Sequence, residues 1–181
     1  MVAELERLKV ESRTVYESLV LPGWGGAQHG LPDTLYGYLM GVFARLDLAS
    51  AYRVGTEERQ SARMVEFMTV YVNPDRLVNS VLVQVWRHKL MHTASPRALV
   101  DRARGVTYRW LLHWGDEHLP REQHMRFQAN GEIVNLSLFG LLDDVERSFH
   151  SYVIELNSDP VLQQKFDRIE QTLSAFAYRE L

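Results

Sequence analysis

The segment DTLYGYLMGVFARLDLASAYRVG, residues 33–55, carries the clearest helical pattern in the chain. Asp33 or Thr34 can cap the start of a helix there, and Gly55 can close it. Its apolar residues recur at helical spacing along two adjacent stripes, which are Leu35, Leu39, Val42, Leu46 and Ala49 and, beside them, Tyr36, Met40 and Phe43. A helix that is apolar on two faces must be covered on both, so we expect it at the centre of a helical bundle. Asp47 continues the second stripe, where a carboxylate needs a polar partner.

Five further helices are predicted around this central one, at about residues 3–20, 57–71, 75–92, 136–156 and 159–178. The helix that begins near Asp75 ends before Pro96, because a proline disfavours helical geometry at the residue preceding it. Asp159 is expected to cap the last helix, with Pro160 at its first position. The intervening LPGWGGAQHGLP is a predicted loop, and its GWGG lacks the preceding strand and following Lys-Ser/Thr of a phosphate-binding loop.

The segment at about 105–136 has a different character from the helical stretches. VTYRWLLHW, residues 106–114, is aromatic and β-branched, which is typical of a strand. HMRFQANGEIVNLSL, residues 124–138, predicts a hairpin with Asn130-Gly131 in the turn. The fold class predicted is therefore mainly α, with about six helices and a small antiparallel β element inserted at about 105–136. Trp110 and Trp114 fall on one face of the strand, where core or dimer contact is expected.

Length and composition indicate one globular domain spanning residues 1–181. Hydrophobic residues make up 46% of the chain and charged residues 24%, and no apolar run reaches the ~18 residues that span a bilayer. The N-terminus is charged where a secretion signal is apolar, and cysteine is absent. These features predict a cytoplasmic protein without membrane spans, disulfides or thiolate metal sites.

The net charge of −3 is unevenly distributed along the chain. From Arg87 to Arg109 there are six basic residues and one acid, Asp101, so this stretch carries +5 and the remainder −8. The six are Arg87, Lys89, Arg97, Arg102, Arg104 and Arg109. Such a block is either a solvated loop or an anion-binding surface.

The stretch VWRHKLMHTASP, residues 85–96, holds the candidate chemistry. Arg87 and His92 are separated by ~140° on a regular helix and can face one cleft only if the helix unwinds. A histidine can move the proton of a ribose 2′-hydroxyl or of a leaving oxygen, and an arginine can stabilise charge on a phosphate. No metal is required for such RNA cleavage. Alternatively, the two residues are structural, with the arginine paired to an acid and the histidine bonded to a loop.

WRHKLMHTASPR resembles the R-x4-6-H signature of HEPN-domain proteins, with His88 as the polar residue that commonly follows the arginine. FARLDLASAY, with Asp47, resembles the preceding long helix of that family, which carries an acidic residue. The resemblance covers about residues 33–100 and, loosely, the C-terminal helices. It implies a single HEPN-like helical bundle. The strand-like insertion at 105–136 is outside the minimal bundle and resembles an elaboration of uncharacterised bacterial relatives.

The resemblance implies a metal-independent endoribonuclease, or a protein derived from one, in bacterial phage defence or toxin–antitoxin stress responses. Arg87 would stabilise phosphate charge, His92 would be the general acid and base, and His88 would orient the phosphate. Asp47 would support these residues. The RNA backbone would be held by Lys89, Arg97, Arg102 and Arg104. The family also implies a homodimer whose two protomers share the site, an antitoxin partner of the nucleotidyltransferase type, and no cofactor.

The sequence is also compatible with two other hypotheses about function. The protein could be a non-catalytic helical dimerisation or binding module, or a small-molecule sensor with a pocket between the central helices. The spacing of His113, His118 and His124 does not match a zinc site. Asp143 and Asp144 are expected near the start of a helix, where the helix dipole stabilises acids.

Overall fold

The computed structural model describes residues 2–18, 33–86, 98–115 and 119–175. Within these ranges the protein is mainly helical and carries one small sheet. The helices are α1 (Val2–Val15), α2 (Asp33–Val54), α3 (Gln60–Tyr71), α4 (Arg76–Val85), α5 (Leu138–Ser158) and α6 (Pro160–Ala175). The strands are β1 (Leu99–Asp101), β2 (Val106–His113), β3 (Arg126–Phe127) and β4 (Ile133–Ser137), and a 3₁₀ turn spans Arg121–Gln123. The mainly α class with a small β element is confirmed.

Helix α2 lies at the centre of the helical body. It contacts α1, α3, α5 and α6. Its principal apolar stripe is completely buried, at Leu35, Leu39, Val42, Leu46 and Ala49, and so is Phe43 of the second stripe. Gly55 ends the helix with φ 81°, a conformation that suits glycine, and its N–H donates to the Ala51 carbonyl at 2.7 Å. The central position predicted from the two apolar stripes is confirmed.

Side-chain caps fix the starts of α4, α5 and α6. Asp75 Oδ1 accepts hydrogen bonds from the amides of the second and third residues of α4, at 3.0 and 3.1 Å. Ser137 caps α5 by accepting from Gly140 N–H. Asp159 accepts from two amides of α6, which begins at Pro160 as predicted. These caps satisfy amide groups that a helix start leaves without intrahelical partners.

The sheet has the strand order β1-β2-β4-β3 within the described residues. Strands β3 and β4 form the predicted antiparallel hairpin, with Gly131 at φ 70° in its turn. The prediction that the whole β element is antiparallel is wrong, however, because β2 and β4 pair in parallel, from Arg109 with Ile133 to His113 with Ser137. The insertion also begins earlier than residue 105, because β1 already pairs with β2.

The inner face of the sheet joins the same core as the helices. Tyr108, Trp110 and Leu112 alternate along β2 and are at most 9% exposed, and Trp114 beyond them is 1% exposed. Trp114 packs against Tyr16, Tyr38 and Phe139. The prediction that the two tryptophans are core residues is confirmed. Among the helices described, none combines the length and apolar character needed to cross a membrane.

Candidate functional site

The residues predicted to do chemistry lie in the segment 87–97. This segment, with Arg87, His88, Lys89, His92 and Arg97, falls outside the described residues, as does His118. Their roles therefore stay predictions. The structure does describe the chain on both sides of the segment, up to Trp86 at the end of α4 and again from Ala98 before β1.

A groove of about 790 Å³ lies between α4 and the β1–β2 hairpin. Both flanks of the 87–97 segment line it, since Gln84 precedes Arg87 by three residues and Leu99 follows His92 by seven. From α4 the lining consists of Arg76, Leu77, Ser80, Val81 and Gln84. From the hairpin it consists of Leu99, Val100, Asp101, Arg102, Ala103, Arg104 and Tyr108. The groove therefore adjoins the two points at which the described chain leads into and out of the predicted motif.

Positive charge predominates in the groove. Among the described residues that line it are three exposed arginines, Arg76, Arg102 and Arg104, and one acid, Asp101. Arg102 and Arg104 belong to the basic block predicted from the sequence, whereas Arg109 of the same block is exposed on β2 and is not part of the groove lining. Sequence reasoning missed Arg76, which lies outside the block and reaches the groove only because α4 packs beside β1.

Asp101 organises the turn that presents two of these arginines. Its Oδ1 accepts from the amides of Ala103 and Arg104 at 3.0 and 3.1 Å, and Gly105 completes the turn with φ 66°. Arg104 lies 3.8 Å from Asp101 Oδ2 through its Nε. A hydrogen bond with the Tyr108 hydroxyl raises the pKa of Arg104, with a smaller contribution from Asp101. These hydrogen bonds therefore fix the backbone of the turn from which Arg102 and Arg104 extend.

Asp47 is engaged in a network between α2 and α3. Its Oδ1 lies 2.7 Å from Nη2 of Arg63, and its Oδ2 accepts from Gln60 Nε2 at 2.6 Å. Arg63 is only 6% exposed and also donates to the Asp47 carbonyl and to Ser50 Oγ. Burial lowers the pKa of Arg63, and the charge of Asp47 opposes that shift. The predicted need of Asp47 for a polar partner is confirmed, while its support of Arg87 stays a prediction.

A second charged cluster joins the 3₁₀ turn to α5. Asp144, 6% exposed, contacts the guanidinium groups of Arg121 and Arg147, and His124 Nε2 lies 3.3 Å from its Oδ2. Burial raises the pKa of Asp144, but the hydrogen bond of His124 and the charge of Arg121 outweigh this, so the pKa is lowered. His124 Nδ1 accepts from Ser137 N–H at 3.0 Å.

Contacts of Asp144 with Arg121 and His124 thus connect the 3₁₀ turn and the residues just after it to α5. Sequence reasoning placed Asp144 near a helix start. It lies instead in the second turn of α5, which begins at Leu138, and its stabilisation comes from side chains rather than from the helix end. Over the described ranges, no group of three or more His, Cys, Asp or Glu side chains is placed to hold a metal ion.

The fold and the groove define a mainly helical protein with a mixed four-stranded sheet and an arginine-lined groove where the two meet. Comparison with protein-family models, with curated proteins and with solved structures gives no match.

Proposed function

We propose that the protein is a metal-independent, HEPN-type endoribonuclease, or a protein derived from one, that acts in the bacterial cytoplasm in phage defence or a toxin–antitoxin stress response. One observation supports this most directly: the chain on both sides of the Arg87–His92 motif lines a single groove with three exposed arginines. An RNA strand engaged by the motif would meet these cations, which neutralise backbone phosphates. The helical body around α2 is compatible with the HEPN-like bundle that the motif suggests.

The proposed reaction uses the 2′-hydroxyl of RNA as its nucleophile. His92 takes the 2′-hydroxyl proton while the 2′-oxygen attacks the adjacent phosphorus. The bond from phosphorus to the 5′-oxygen breaks as that oxygen receives the proton that His92 took up, which leaves a cyclic 2′,3′-phosphate and a free 5′-hydroxyl. Arg87 stabilises the charge that grows on the phosphate oxygens, and His88 orients the phosphate. The step consumes no water and needs no metal.

The arrangement proposed for this site is a homodimer. On a regular helix Arg87 and His92 diverge by ~140°, so one protomer is poorly suited to aim both at one phosphate. Two protomers facing each other supply an arginine and a histidine from opposite sides. An antitoxin of the nucleotidyltransferase type is the partner that the resemblance suggests.

Cleavage of a fluorescently labelled single-stranded RNA in the presence of EDTA tests the proposal. Arg87→Ala and His92→Ala should each lower the rate by ~100-fold or more, because each removes a group that acts in the transition state. Arg7→Ala and His150→Ala are matched controls, since both side chains are exposed (69% and 62%) and distant in sequence from the motif. Their rates should equal that of the wild type.

Equal cleavage by wild type and by folded Arg87→Ala and His92→Ala proteins would contradict the proposal. Thermal melting of each variant establishes that it is folded. A wild type that binds RNA without cleaving it, with or without added metal ions, would point instead to the non-catalytic binding module.

A further inference from the structure

The groove between α4 and the β1–β2 hairpin has an apolar floor as well as a basic rim. Leu77 is 37% exposed and Val100 is 61% exposed, although both are large apolar residues. They line the groove together with Val81 and Leu99. Solvent-exposed apolar side chains grouped in a concave site indicate contact with an apolar part of a ligand.

The cations that accompany this floor come from both walls of the groove. Arg76 is the first residue of α4, while Arg102 and Arg104 extend from the β1–β2 turn. A cation at the start of a helix is disfavoured by the helix dipole. The Asp75 carboxylate accepts hydrogen bonds from two amides at that helix start, and Arg76 lines the groove beside it.

We infer that this groove is the substrate subsite for unpaired RNA, in which the three arginines hold successive phosphates and the apolar floor receives an unstacked base. The inference rests on the proposed function for its choice of RNA, and it adds where and in which form the RNA binds. Proteins that bind single strands combine a positive groove with side chains against which the unpaired bases stack. A duplex keeps the faces of its bases stacked on one another and exposes only their edges, so the floor would have no base face to contact.

The size of the groove agrees with this ligand. About 790 Å³ lies within the range of ~300–1,000 Å³ that holds drug-sized ligands, which is enough for one or two nucleotides. An acidic peptide would also pair with the arginines. RNA is the better match because the groove adjoins the segment predicted to act on a phosphodiester.

Binding is measured by fluorescence anisotropy with a labelled ten-nucleotide single-stranded RNA. The background carries Arg87→Ala and His92→Ala, so that the RNA stays intact. In this background the triple change of Arg76, Arg102 and Arg104 to Gln should weaken binding at least ~10-fold. The slope of log affinity against log salt should fall by about 2, at about 0.7 for each lost phosphate contact.

A matched control removes the same charge elsewhere, by changing Arg7, Arg126 and Arg168 to Gln. All three are exposed and none lines the groove. Affinity and salt slope should stay close to those of the background protein. We call the variant with Arg76, Arg102 and Arg104 changed the groove triple, and the variant with the three other arginines changed the control triple. If the control triple weakens RNA binding as much as the groove triple, or if the groove triple has no effect, the inference is overturned.

The apolar floor is tested with Val100→Ser against Val70→Ser, whose valine is 54% exposed on α3. Val100→Ser should weaken single-strand binding at least ~3-fold while leaving the salt slope unchanged, because it removes a base contact and no phosphate contact. Val70→Ser should have no effect. Equal affinity for a duplex of the same length, or displacement of the RNA by an acidic peptide at equal concentration, would contradict the inference.

The groove and the proposed reaction can fail separately. If RNA binds through the three arginines but the wild type cleaves nothing, the subsite stands and the nuclease proposal falls. If cleavage depends on Arg87 and His92 but the groove triple has the KM and kcat of the wild type, the subsite falls and the nuclease proposal stands.

Discussion

Asp47 holds Arg63 between α2 and α3, where the guanidinium is almost withdrawn from water. Removing one partner of a buried ion pair is costly because the other charge stays buried without compensation. The apolar stripe around Asp47 indicated that it needed a polar partner. The stripe could not identify Arg63, because that pairing depends on how α3 packs against α2.

Asp47→Asn should lower the free energy of unfolding by about 3 kcal/mol, since Arg63 then lacks its counter-charge. Urea unfolding at neutral pH measures the change. Glu66→Gln is the control: Glu66 is 53% exposed and pairs with Arg53 at 2.9 Å, so its loss should cost below about 1 kcal/mol. An Asp47→Asn protein with unchanged stability but lost RNA cleavage would show instead that Asp47 acts on the catalytic residues.

The strands show which parts of the fold are encoded locally. The β-branched and aromatic pattern of β2 and the Asn130-Gly131 turn of the β3–β4 hairpin are local signals, and both predict the structure correctly. The parallel pairing of β2 with β4 is a long-range contact without a local signal. Strand β1 has only three residues, which is too short for an alternating pattern. The antiparallel assignment failed for these reasons.

The packing of the 3₁₀ turn against α5 depends on Gly140 as well as on Asp144. A Cβ on Gly140 would lie 2.8 Å from Nη1 of Arg121 and 3.1 Å from Cγ of His124. Arg121 also donates to the Gly140 carbonyl at 3.0 Å. The absence of a side chain at this position therefore leaves room for the His124 ring and the Arg121 guanidinium beside α5.

Acid should weaken the junction between the 3₁₀ turn and α5. The pKa of Asp144 is lowered in the folded protein by His124 and Arg121 despite its burial, so its ionised form stabilises the fold at pH values above its ordinary pKa. That contribution is lost as the pH falls through the lowered value. The destabilisation caused by Asp144→Asn should therefore be large at pH 7 and shrink below about pH 4.

Urea unfolding of wild type and Asp144→Asn at pH 7 and at about pH 3 measures this difference. Asp143→Asn is the control, because its carboxylate is 56% exposed and pairs with Lys9 at 3.2 Å. The loss in that variant should be small at both pH values. A destabilisation by Asp144→Asn that stays constant or grows toward acid would contradict the assignment.

The most basic part of the chain contributes residues to the groove. The basic block of +5 lies in a chain whose remainder carries −8, and two of the three groove arginines come from that block. The sequence could therefore indicate the basic region and two of the arginines that line the groove. It could not indicate Arg76, nor the exposed apolar floor, because these arise from the packing of α4 beside β1.

The homodimeric site is a proposal that starts from the ~140° between Arg87 and His92 on a regular helix. If two protomers together provide Arg87 and His92, inactive proteins lacking different members of the pair can complement each other. Each mixed dimer then retains one arginine and one histidine facing a shared phosphate. A monomeric site would give no such recovery, because neither chain would hold both groups.

The most direct measurement is RNA cleavage by a mixture of Arg87→Ala and His92→Ala proteins after subunit exchange, compared with each protein alone. We expect the Arg87→Ala protein alone and the His92→Ala protein alone to be inactive. The mixture should regain cleavage in proportion to the fraction of mixed dimers. Native mass spectrometry of differently tagged chains measures that fraction. The shared site would be contradicted if the wild type cleaves RNA but the mixed dimers form and remain as inactive as the two single variants.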